Sequence, residues 1–469
     1  MPAHTPQLAV IGAGPGGYAA AFLAADLGMT VTLIDAAPLP GGVCLHRGCI
    51  PSKALLHAAA LLGQARDATR IGITFAEPTI HLERLRAWKD EVVEKMSRGL
   101  AQMGNGRGVT YLQGRARLLD GRTVEVTPPD GGAQTLAFDH AILATGSRPA
   151  PPPAFALDSP RLMDSTAALE LEAIPESLLV VGGGYIGLEL GTVYAALGTK
   201  VTCVEMTGEL MPGADRDLVK ILTRRLRKAF AAIHVDTLVT ALEETPDGLR
   251  AHLQGKGPEA GVFDRVLVAT GRRPNSEGLG LESTAVVVDG RGFLQVDPSR
   301  RTAEPTLYAI GDLTGEPMLA HKASHEGRVA VEAIHGRNVA FEPRAIPAVA
   351  FTDPEIAWCG LTETAAEAQG RAVQITRFPW GASGRATTLN RNDGLTKLLA
   401  DPKSGRLLGA GIVGAGAGEL IGAAVLAMEM GATAGDVALT IHPHPTLSET
   451  FMEAAELFTG RCTHLPPVQ

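Results

Sequence analysis

The sequence predicts an α/β protein in which two repeated strand–helix–strand units are followed by a C-terminal α+β domain. Three observations support this class. A glycine-rich strand–helix–strand pattern occurs near the N-terminus and again in the middle of the chain, and each copy is followed by a strand that ends in Ala-Thr-Gly. From about Arg344 onward, strand-like runs alternate with helices and the glycine pattern does not return. Repetition of a whole supersecondary unit sets the architecture of a chain.

The first unit extends from Gln7 to Asp35 and has the sequence QLAVIGAGPGGYAAAFLAADLGMTVTLID. A short apolar strand leads into a glycine turn, an alanine-rich helix and a second strand. The glycines of the turn, Gly12, Gly14 and Gly17, fit the pattern G-x-G-x-x-G. The first permits a tight turn, the second lets the backbone approach a pyrophosphate, and the third lets the helix pack on the strand. Asp35 ends the second strand, where an acid binds a ribose hydroxyl.

The second unit, SLLVVGGGYIGLELGTVYAALGTKVTCVE, extends from Ser177 to Glu205. Its glycines are Gly182, Gly184 and Gly187, and the interval from the first glycine to the closing acid is the same in both copies. A single such motif is a weak signal, because a tight strand–helix turn without a nucleotide site gives the same pattern. Two copies in full strand–helix–strand context predict two Rossmann-like dinucleotide-binding domains.

The acid at the end of the second unit indicates which nicotinamide cofactor binds there. Glu205 would repel the 2′-phosphate of NADP, and the following segment, MTGEL, has no arginine to neutralise one. We therefore predict NAD.

Two similar segments, HAILATGSRP and RVLVATGRRP, are predicted to mark the exits of the chain from the two nucleotide domains. A later strand-like run, TLYAIGDLTG, ends in Gly-Asp. Asp312 in this run either accepts hydrogen bonds from a polyol chain or is a simple turn aspartate. The segment from about Arg344 is predicted to form an α+β domain suited to an oligomer interface.

Composition and charge exclude several classes of protein. A formal net charge of −8 argues against a nucleic-acid-binding protein, which would carry a basic face. A hydrophobic fraction of 45% is sufficient for large cores and excludes a disordered chain. The apolar stretch 407–430 is interrupted by Glu419 and Glu429, so we predict a buried strand and helix rather than a membrane span. The N-terminal MPAHTPQ lacks the basic region of a signal peptide, and we expect a cytoplasmic protein without membrane association.

The segment GGVCLHRGCIPSKALL contains Cys44 and Cys49, although the whole chain has only five cysteines. On a regular helix their Cα atoms would lie about 7.5 Å apart, beyond ordinary disulfide reach. A bridge therefore needs a distorted backbone, which is permitted by Gly41, Gly42, Gly48 and Pro51. The spacing favours a strained, reducible disulfide over a structural one.

Metal binding is the alternative interpretation of this pair. It requires further ligands in register, whereas the remaining cysteines, Cys203, Cys359 and Cys462, are scattered along the chain. His46 lies between the two cysteines, but one imidazole and two thiols do not complete a zinc site. We expect no metal ion, although the spacing alone leaves both interpretations open.

Several segments together resemble the pyridine nucleotide-disulphide oxidoreductase family, and they extend over essentially the whole chain. They are GAGPGG, GGVCLHRGCIPSKALL, VVGGGYIGLELG, ATGRRPN, YAIGD, PMLAHKASHEG, FTDPEIAW and HPHPTLSET. The last resembles the lipoamide-oxidising members, whereas glutathione-reducing members share only its His-Pro-Thr core. The resemblance implies an FAD- and NAD-dependent homodimer with a redox-active cysteine pair, which oxidises protein-bound dihydrolipoamide to lipoamide and reduces NAD⁺.

The resemblance also implies the catalytic residues. A substrate thiol attacks Cys44, while Cys49 lies nearer the flavin and remains as a thiolate. His444 of one subunit takes a thiol proton at the cysteine pair of the other, and Glu449 orients it. An imidazole suits this proton transfer because it titrates near neutral pH, and a carboxylate on its second nitrogen fixes the tautomer. For His442 we expect a packed or capping role.

Family positions imply the cofactor contacts. Those for FAD are Gly12, Gly14, Gly17, Asp35, Gly114, Asp312, Met318, Leu319, Ala320 and His321. Those for NAD are Gly182, Gly184, Gly187, Glu189, Glu205, Val239 and Gly271. Lys53 resembles the lysine that pairs with a glutamate, here Glu189, near the flavin ring. Val43 and His46 depart from the family's threonine and asparagine, and our hypothesis is that His46 stabilises a thiolate.

We expect four domains. They are an FAD-binding domain with the redox cysteines (1–149), an NAD-binding domain (150–271), a central domain that completes the FAD site (272–343) and a C-terminal dimerisation domain (344–469). The expected partner is the lipoyl domain of a 2-oxo-acid dehydrogenase complex or a glycine-cleavage carrier protein.

Two alternative functions remain at this point. One is a related FAD-dependent reductase of another disulfide or of mercuric ion, although the tail RCTHLPPVQ has one cysteine where mercuric reductases carry a pair. The other is a redox-inert flavoprotein that serves as a docking subunit. The presence of Cys44, Cys49, His444 and Glu449 together argues against this second alternative.

Overall fold

The computed structural model describes residues 7–155 and 157–466 and confirms the predicted α/β class. In chain order the helices are α1 (Pro15–Asp26), α2 (Gly42–Arg47), α3 (Cys49–Asp67), α4 (Leu82–Gly106), α5 (Ser165–Glu170), α6 (Tyr185–Leu197), α7 (Arg216–Ala229), α8 (Ala320–Ile334), α9 (Glu363–Ala368), α10 (Gly384–Thr388), α11 (Ala417–Glu429), α12 (Ala434–Leu439) and α13 (Glu449–Phe458).

The strands of the first half are β1 (Gln7–Ile11), β2 (Thr30–Asp35), β3 (Thr110–Gln113), β4 (Arg115–Asp120), β5 (Thr123–Thr127), β6 (Gln134–Ala137), β7 (His140–Leu143), β8 (Ser147–Pro149), β9 (Leu162–Met163), β10 (Ser177–Val181), β11 (Lys200–Val204) and β12 (Ala232–His234). Those of the second half are β13 (Thr237–Thr245), β14 (Gly248–Gly255), β15 (Ala260–Phe263), β16 (Arg265–Val268), β17 (Arg272–Pro274), β18 (Leu307–Ala309), β19 (Ala348–Ala350), β20 (Glu355–Gly360), β21 (Gln374–Pro379), β22 (Leu395–Ala400) and β23 (Leu407–Gly414).

The first unit forms the centre of a parallel sheet with strand order β18-β7-β1-β2-β3. In β1, every residue after Gln7 is buried, as expected for a parallel strand that helices cover on both faces. Val10 lies opposite Leu33 of β2 on one side and Ile142 of β7 on the other. The antiparallel sheet β4-β5-β6 follows this unit.

The second unit repeats this arrangement. Its parallel sheet has the order β12-β11-β10-β16-β9, with β10 in the central place that β1 occupies in the first sheet. The antiparallel sheet β13-β14-β15 corresponds to β4-β5-β6. The repeat predicted from the glycine patterns is therefore a repeat of whole sheets.

The second nucleotide domain is an insertion in the first. β18 pairs with β7 in the first sheet, although the whole second sheet lies between them in the chain. The two predicted exits pair with each other as the antiparallel strands β8 and β17, with Arg148 opposite Arg273. We propose the limits 1–149, 150–271, 272–343 and 344–469 as domain boundaries, and this two-stranded link lies at two of them.

The C-terminal part forms an antiparallel sheet with the order β19-β20-β23-β22-β21. The predicted buried strand and helix in 407–430 correspond to β23 and α11. Lys397 in β22 is fully buried, and its ammonium group is within 3.0 Å of carboxylate oxygens of Asp215, Asp217 and Glu363. Because Asp217 belongs to α7 and Asp215 immediately precedes that helix, this buried cluster joins the C-terminal domain to the second nucleotide domain.

In the described part of the chain, no helix combines the length and the apolar character that crossing a bilayer requires.

Candidate active site

A cavity of about 800 Å³ brings together most of the residues expected to hold FAD and both residues of the cysteine pair. One wall is the glycine turn between β1 and α1. The segment with the two cysteines, the residues after both Ala-Thr-Gly sequences and one face of α6 form the others. Gly41 ties the cysteine segment to the turn, because its N–H donates to the carbonyl of Ala13 at 2.8 Å.

The two cysteines lie on either side of a break between two helices. α2 ends at Arg47 and α3 begins at Cys49, and Gly48 between them has φ −149° and ψ −111°. A β-carbon at Gly48 would lie 2.9 Å from the carbonyl oxygen of Val43, so only glycine fits without a shift. The predicted backbone distortion is present, and both cysteines are free thiols in the structure.

The two thiols are unequal. A hydrogen bond from Cys44 is the main cause that lowers the pKa of Cys49 to about 7, and the nearby ammonium group of Lys53 adds to it, whereas burial and Glu189 oppose the shift. The same hydrogen bond is the main cause that raises the pKa of Cys44, and burial adds to it. Near neutral pH, Cys49 is therefore the thiol that ionises, whereas Cys44 keeps its proton.

Lys53 forms the predicted ion pair with Glu189, at 2.8 Å between Nζ and Oε2. Glu189 is buried on α6, and its other oxygen accepts the N–H of Phe351 at 2.9 Å. The ammonium group also lies 4.6 Å from the centre of the Phe351 ring. The first nucleotide domain, the second and the C-terminal domain thus meet at this pair, one helical turn from Cys49.

The acids that end the two units both bind their own glycine turns. Asp35 accepts the N–H of Ala13 at 2.6 Å, and Glu205 accepts the N–H of Gly183 at 2.7 Å. The second oxygen of Asp35 accepts the N–H of Ala37, and that of Glu205 accepts both the N–H and the hydroxyl of Thr207. Each acid therefore holds the turn in place, a contribution the motif alone did not indicate.

The other predicted contacts divide into two groups. Residues that line the cavity are Gly12, Gly14, Asp35, Lys53, Gly114, Asp312, Met318, Ala320 and Glu189. Residues outside it are Gly17, Leu319, His321, Gly182, Gly184, Gly187, Glu205, Val239 and Gly271. His321 instead bonds the carbonyl of Pro347 at 2.7 Å, and the side chain of Val239 is buried in a hydrophobic cluster. Gly17 lies beneath the turn, where a β-carbon would meet the carbonyl oxygen of Gly12.

His444 and Glu449 form the predicted pair, with 2.9 Å between Nδ1 and Oε1. The other oxygen of Glu449 accepts the N–H of Thr446 at 2.7 Å, which fixes the carboxylate at the start of α13. His444 is 70% exposed and lies outside the cavity of its own chain. His442 bonds only locally, to the carbonyl of Thr440.

The structure adds residues that sequence reasoning missed. Ser147 donates to Asp312 at 2.5 Å and accepts from Nε of Arg272 at 2.8 Å. All three line the cavity, as does Tyr185 at the start of α6. The repeated sequences ATGSRP and ATGRRP are the signal in the sequence, but alone they predict only where the chain leaves the two nucleotide domains.

The hydrogen-bond partners of His46 are Leu39 and Ser97 rather than the two cysteines. Its Nε2 lies 3.1 Å from the carbonyl oxygen of Leu39, and its Nδ1 lies 3.5 Å from the hydroxyl of the buried Ser97. It is not among the main causes that shift the pKa of either thiol. Because α2 turns this ring toward α4, His46 fastens the cysteine segment to that helix.

Two groups of possible metal ligands occur in the described residues. Asp215, Asp217 and Glu363 surround the ammonium group of Lys397, and two of them also pair with the guanidinium of Arg377, so cationic side chains already fill this group. Glu453, Glu456 and Cys462 form the other, where the Cys462 thiol donates to Glu453. Neither includes the Cys44–Cys49 pair.

The geometry fits dinucleotides at both repeats. α1 begins after Gly14 and α6 after Gly184, and in neither helix does a side chain cap the first turn. The free N–H groups and the helix dipole favour a pyrophosphate at each position. Gly14 and Gly42 approach so closely that a β-carbon at Gly42 would lie 2.5 Å from the Cα of Gly14, which leaves backbone alone at the wall of the cavity.

Comparison with known proteins agrees with these features. The family model for pyridine nucleotide-disulphide oxidoreductases matches residues 6–327, and the model for the dimerisation domain of that family matches residues 346–455.

Curated relatives match nearly the whole chain. It is 48% identical to a dihydrolipoyl dehydrogenase from Haemophilus influenzae, over 98% of this chain and 96% of the relative. It is 44% identical to a dihydrolipoyl dehydrogenase from Bacillus subtilis, over 99% and 98% respectively.

Solved structures show the same fold. LpdA from Mycobacterium tuberculosis superposes with a TM-score of 0.90 at 28% identity, and the match covers 96% of this chain and 99% of that one. The HOCl-induced flavoprotein disulfide reductase RclA from Escherichia coli superposes with a TM-score of 0.85 at 26% identity, over 97% and 99%. The repeated glycine turns and the helix break between Cys44 and Cys49 agree with these matches, which show that the chain belongs to the pyridine nucleotide-disulphide oxidoreductase family.

Proposed function

We propose that this chain is an FAD-containing enzyme that oxidises protein-bound dihydrolipoamide to lipoamide and reduces NAD⁺ to NADH. The observation that carries this proposal is the placement of Cys44 and Cys49, with their unequal thiols, on either side of a helix break in the cavity that holds the first glycine turn. The relatives that match nearly the full chain at 42–48% identity are dihydrolipoyl dehydrogenases, which points to the same substrate.

The inequality determines which sulfur is attacked. In the oxidised pair, a substrate thiolate attacks Cys44 because Cys49 is the better leaving group, with the lower pKa. The Cys44–Cys49 bond breaks, a mixed disulfide forms at Cys44, and Cys49 leaves as a thiolate. The second substrate thiol, once deprotonated, attacks the substrate sulfur of the mixed disulfide. Lipoamide is released, Cys44 takes up a proton, and the pair now holds two more electrons.

His444 is the proposed acceptor of the substrate's thiol proton. Glu449 bonds its Nδ1, so that Nε2 carries the free lone pair when the ring is neutral. Because His444 is exposed and lies outside its own cavity, we propose that it serves the cysteine pair of a second subunit. The match to a dimerisation domain supports this action across subunits. So do the exposed apolar side chains of Leu439 and Ile441, which lie just before His444 in the chain.

FAD, when bound, supplies the two-electron chemistry that links the thiol pair to NAD⁺. The residues proposed to hold it are those of the cavity, with Gly12 and Gly14 at the pyrophosphate and Asp312, positioned by Ser147, near the ribityl chain. NAD is proposed to bind at the second turn, where Glu205 accepts from the ribose and disfavours a 2′-phosphate. Gly182, Gly184, Gly187, Val239 and Gly271 are proposed to complete that site.

The proposed partner is a lipoyl domain carried by another protein, from a 2-oxo-acid dehydrogenase complex or a glycine-cleavage system. The expected compartment remains the cytoplasm, where free thiols such as those of Cys203 and Cys359 persist.

An anaerobic assay of the purified flavoprotein tests the reaction. Dihydrolipoamide with NAD⁺ is expected to give fast NADH formation, and with NADP⁺ a rate lower by about two orders of magnitude. The C49S variant is expected to retain the flavin but lose turnover. If dihydrolipoamide is not oxidised while NAD(P)H reduces another disulfide or mercuric ion, the proposed substrate is wrong. The proposed cofactors are then retained. Biological activity of C49S would instead support the docking subunit.

Hybrid dimers test the proposal that His444 acts across subunits. C49S and H444Q homodimers are each expected to be nearly inactive. After the two are mixed, dissociated and reassociated, each hybrid has one site free of both changes, so activity should recover to about a quarter of the wild-type value. No recovery, with hybrid formation verified by mass spectrometry, would mean that His444 serves its own chain.

A further inference from the structure

α13 carries two histidine–carboxylate pairs one helical turn apart. The first is His444 with Glu449, at the start of the helix. The second is His464 with Glu453, where Nδ1 of the ring contacts Oε1 of the carboxylate. His464 comes from the tail that follows α13, so the chain folds back over the helix to bring the second ring to Glu453.

Glu453 is the residue of α13 to which this tail donates its hydrogen bonds. Its side chain is only 4% exposed, and its second oxygen accepts from the Cys462 thiol at 3.0 Å and from the N–H of His464 at 3.4 Å. Burial, followed by the hydrogen bond to Glu453, raises the pKa of Cys462 to about 12, so this thiol remains a donor at neutral pH. A buried carboxylate is costly unless it is paired, and among the described residues the tail donates to both oxygens of Glu453.

We propose that His464 is a positioning residue of the active site. It neutralises Glu453, so that this second carboxylate on α13 does not raise the proton affinity of the His444–Glu449 pair. The inference rests on the proposed role of His444 as proton acceptor. Glu449 and Glu453 are four residues apart and therefore neighbours on one helix face, where like charges repel.

The electrostatics of both pairs agree with this role. Burial would raise the pKa of Glu449, but the N–H of Thr446 and the charges of His444 and His464 together hold it below its usual value. Glu453, by hydrogen bond and by charge, raises the pKa of His464, and Glu449 adds a smaller contribution. The ring of His464 thus carries more positive charge at neutral pH than a free histidine, and Glu453 is correspondingly balanced.

The other charged groups near α13 either have partners of their own or are exposed to solvent. Those on the elements packed against it, or next to it in the chain, are Asp436 on α12, Arg377 on β21, Lys397 on β22, His442 in the preceding loop, and Glu456 and Arg461 at its end. Asp436 bonds Thr433, Arg377 and Lys397 bond Asp217 and Glu363, and Glu456 accepts the N–H of Thr463. Arg461 is exposed. The balance at Glu453 therefore depends on His464.

A charge cycle tests the proposal. In H464Q the uncompensated Glu453 should stabilise the protonated form of His444, so the acid limb of the pH–activity profile with dihydrolipoamide moves to higher pH by roughly 0.4 unit. The double variant E453Q/H464Q removes both charges and should return the limb to the wild-type position. H252Q, which removes a histidine paired with Glu243 on the distant sheet β13-β14, is the matched control and should cause no shift.

The outcomes separate this inference from the proposed function. The titration of the His444 ring, followed by NMR with ¹³Cε1-labelled histidine and assigned with H444Q, should show the same shifts without turnover. If the wild type does not oxidise dihydrolipoamide, the proposed function fails. The NMR series still decides whether His464 and Glu453 control the titration of His444. If H464Q and the double variant lower kcat equally at every pH and leave the titration unmoved, the tail is merely structural. A wild-type limb that moves on treatment with EDTA would also overturn the proposal, because a metal ion would then hold Glu453.

Discussion

The two nucleotide units follow the same plan down to single hydrogen bonds. In each, a central apolar strand leads into a glycine turn, and an acid from the next strand accepts the second N–H of that turn, at Ala13 in the first unit and at Gly183 in the second. In each, the first glycine donates to the neighbouring strand, Gly12 to Ile34 and Gly182 to Val204.

The surroundings of the two turns are nevertheless different. The first turn lines the large cavity and Asp35 is half-buried, whereas the second turn lies outside that cavity and Glu205 is buried. The second unit contributes to the cavity through α6, which presents Glu189 to Lys53. A shared motif therefore specifies how the backbone turns, while segments far away in the chain decide which of its surfaces becomes a site.

The largest expected effect comes from a β-carbon beneath either turn. At Gly17 it would lie 1.8 Å from the carbonyl oxygen of Gly12, and at Gly187 it would lie 2.3 Å from that of Gly182. We expect G17A to lose the flavin and G187A to keep it but lose NAD⁺ reduction, each at a cost of more than about 3 kcal/mol to its own domain. The ratio of flavin to protein absorbance and the KM for NAD⁺ measure these losses.

G63A is the matched control for both changes, because a β-carbon at Gly63 of α3 has no neighbour within 4 Å. Equal loss of flavin in G17A and G187A would contradict the independence of the two turns.

The second prediction compares Asp35 and Glu205, the acids that end the two units. E205Q removes a buried carboxylate that accepts from Gly183 and from both donors of Thr207, whereas D35N removes a half-buried one. We expect E205Q to raise the KM for NAD⁺ by about a hundredfold and D35N to weaken FAD binding by about tenfold. Steady-state kinetics and flavin dissociation measured by fluorescence test this order, and a larger loss in D35N would reverse the comparison.

The third prediction concerns the ion pair that joins the units. Lys53 lowers the pKa of Cys49 and Glu189 raises it, so K53M should move the alkylation of Cys49 to higher pH, and E189Q should move it to lower pH, by roughly half a unit each. Alkylation of the reduced protein by iodoacetamide, with Cys49 and Cys44 distinguished by peptide mass, measures both shifts. Shifts of the same sign would show that the two changes act through disrupted packing.

The smallest expected effect is at the link between the two exits. S147A removes the hydroxyl that donates to Asp312 and accepts from Arg272, and should weaken FAD binding about fivefold, or about 1 kcal/mol. S404A, whose hydroxyl bonds the exposed carboxylate of Asp401, is the matched control. If S147A binds FAD as tightly as S404A does, the link does not position Asp312.

The features that could be predicted from the sequence are those that steric rules fix locally. The glycine turns were predictable because a β-carbon at Gly17 or Gly187 has no room, and the break between the cysteines was predictable from their spacing and Gly48. The resemblance supplied what no local rule gives. It implied the pairing of Lys53 with Glu189, and it placed Gly114 at the cavity.

The features that could not be predicted depend on long-range packing. The contact of Arg272 with Ser147 requires two exits to meet across an inserted domain, and the contact of His464 with Glu453 requires the tail to fold back on α13. His46 is the opposite case, in which position in the chain is a poor guide to the contacts of the side chain. Its place between the cysteines suggested a role at the sulfurs, but a helix points successive side chains in different directions, and this one faces α4.

The insertion of one nucleotide domain in the other has a consequence for the order of events during synthesis. β18 completes the first sheet against β7, so that sheet lacks its edge strand until residues 307–309 have left the ribosome. The inserted domain has all of its own strands within 162–268 and can form its sheet earlier. We therefore expect the domain that begins the chain to finish folding after the domain that interrupts it, and its unpaired edge at β7 to be the part of the nascent chain most in need of protection.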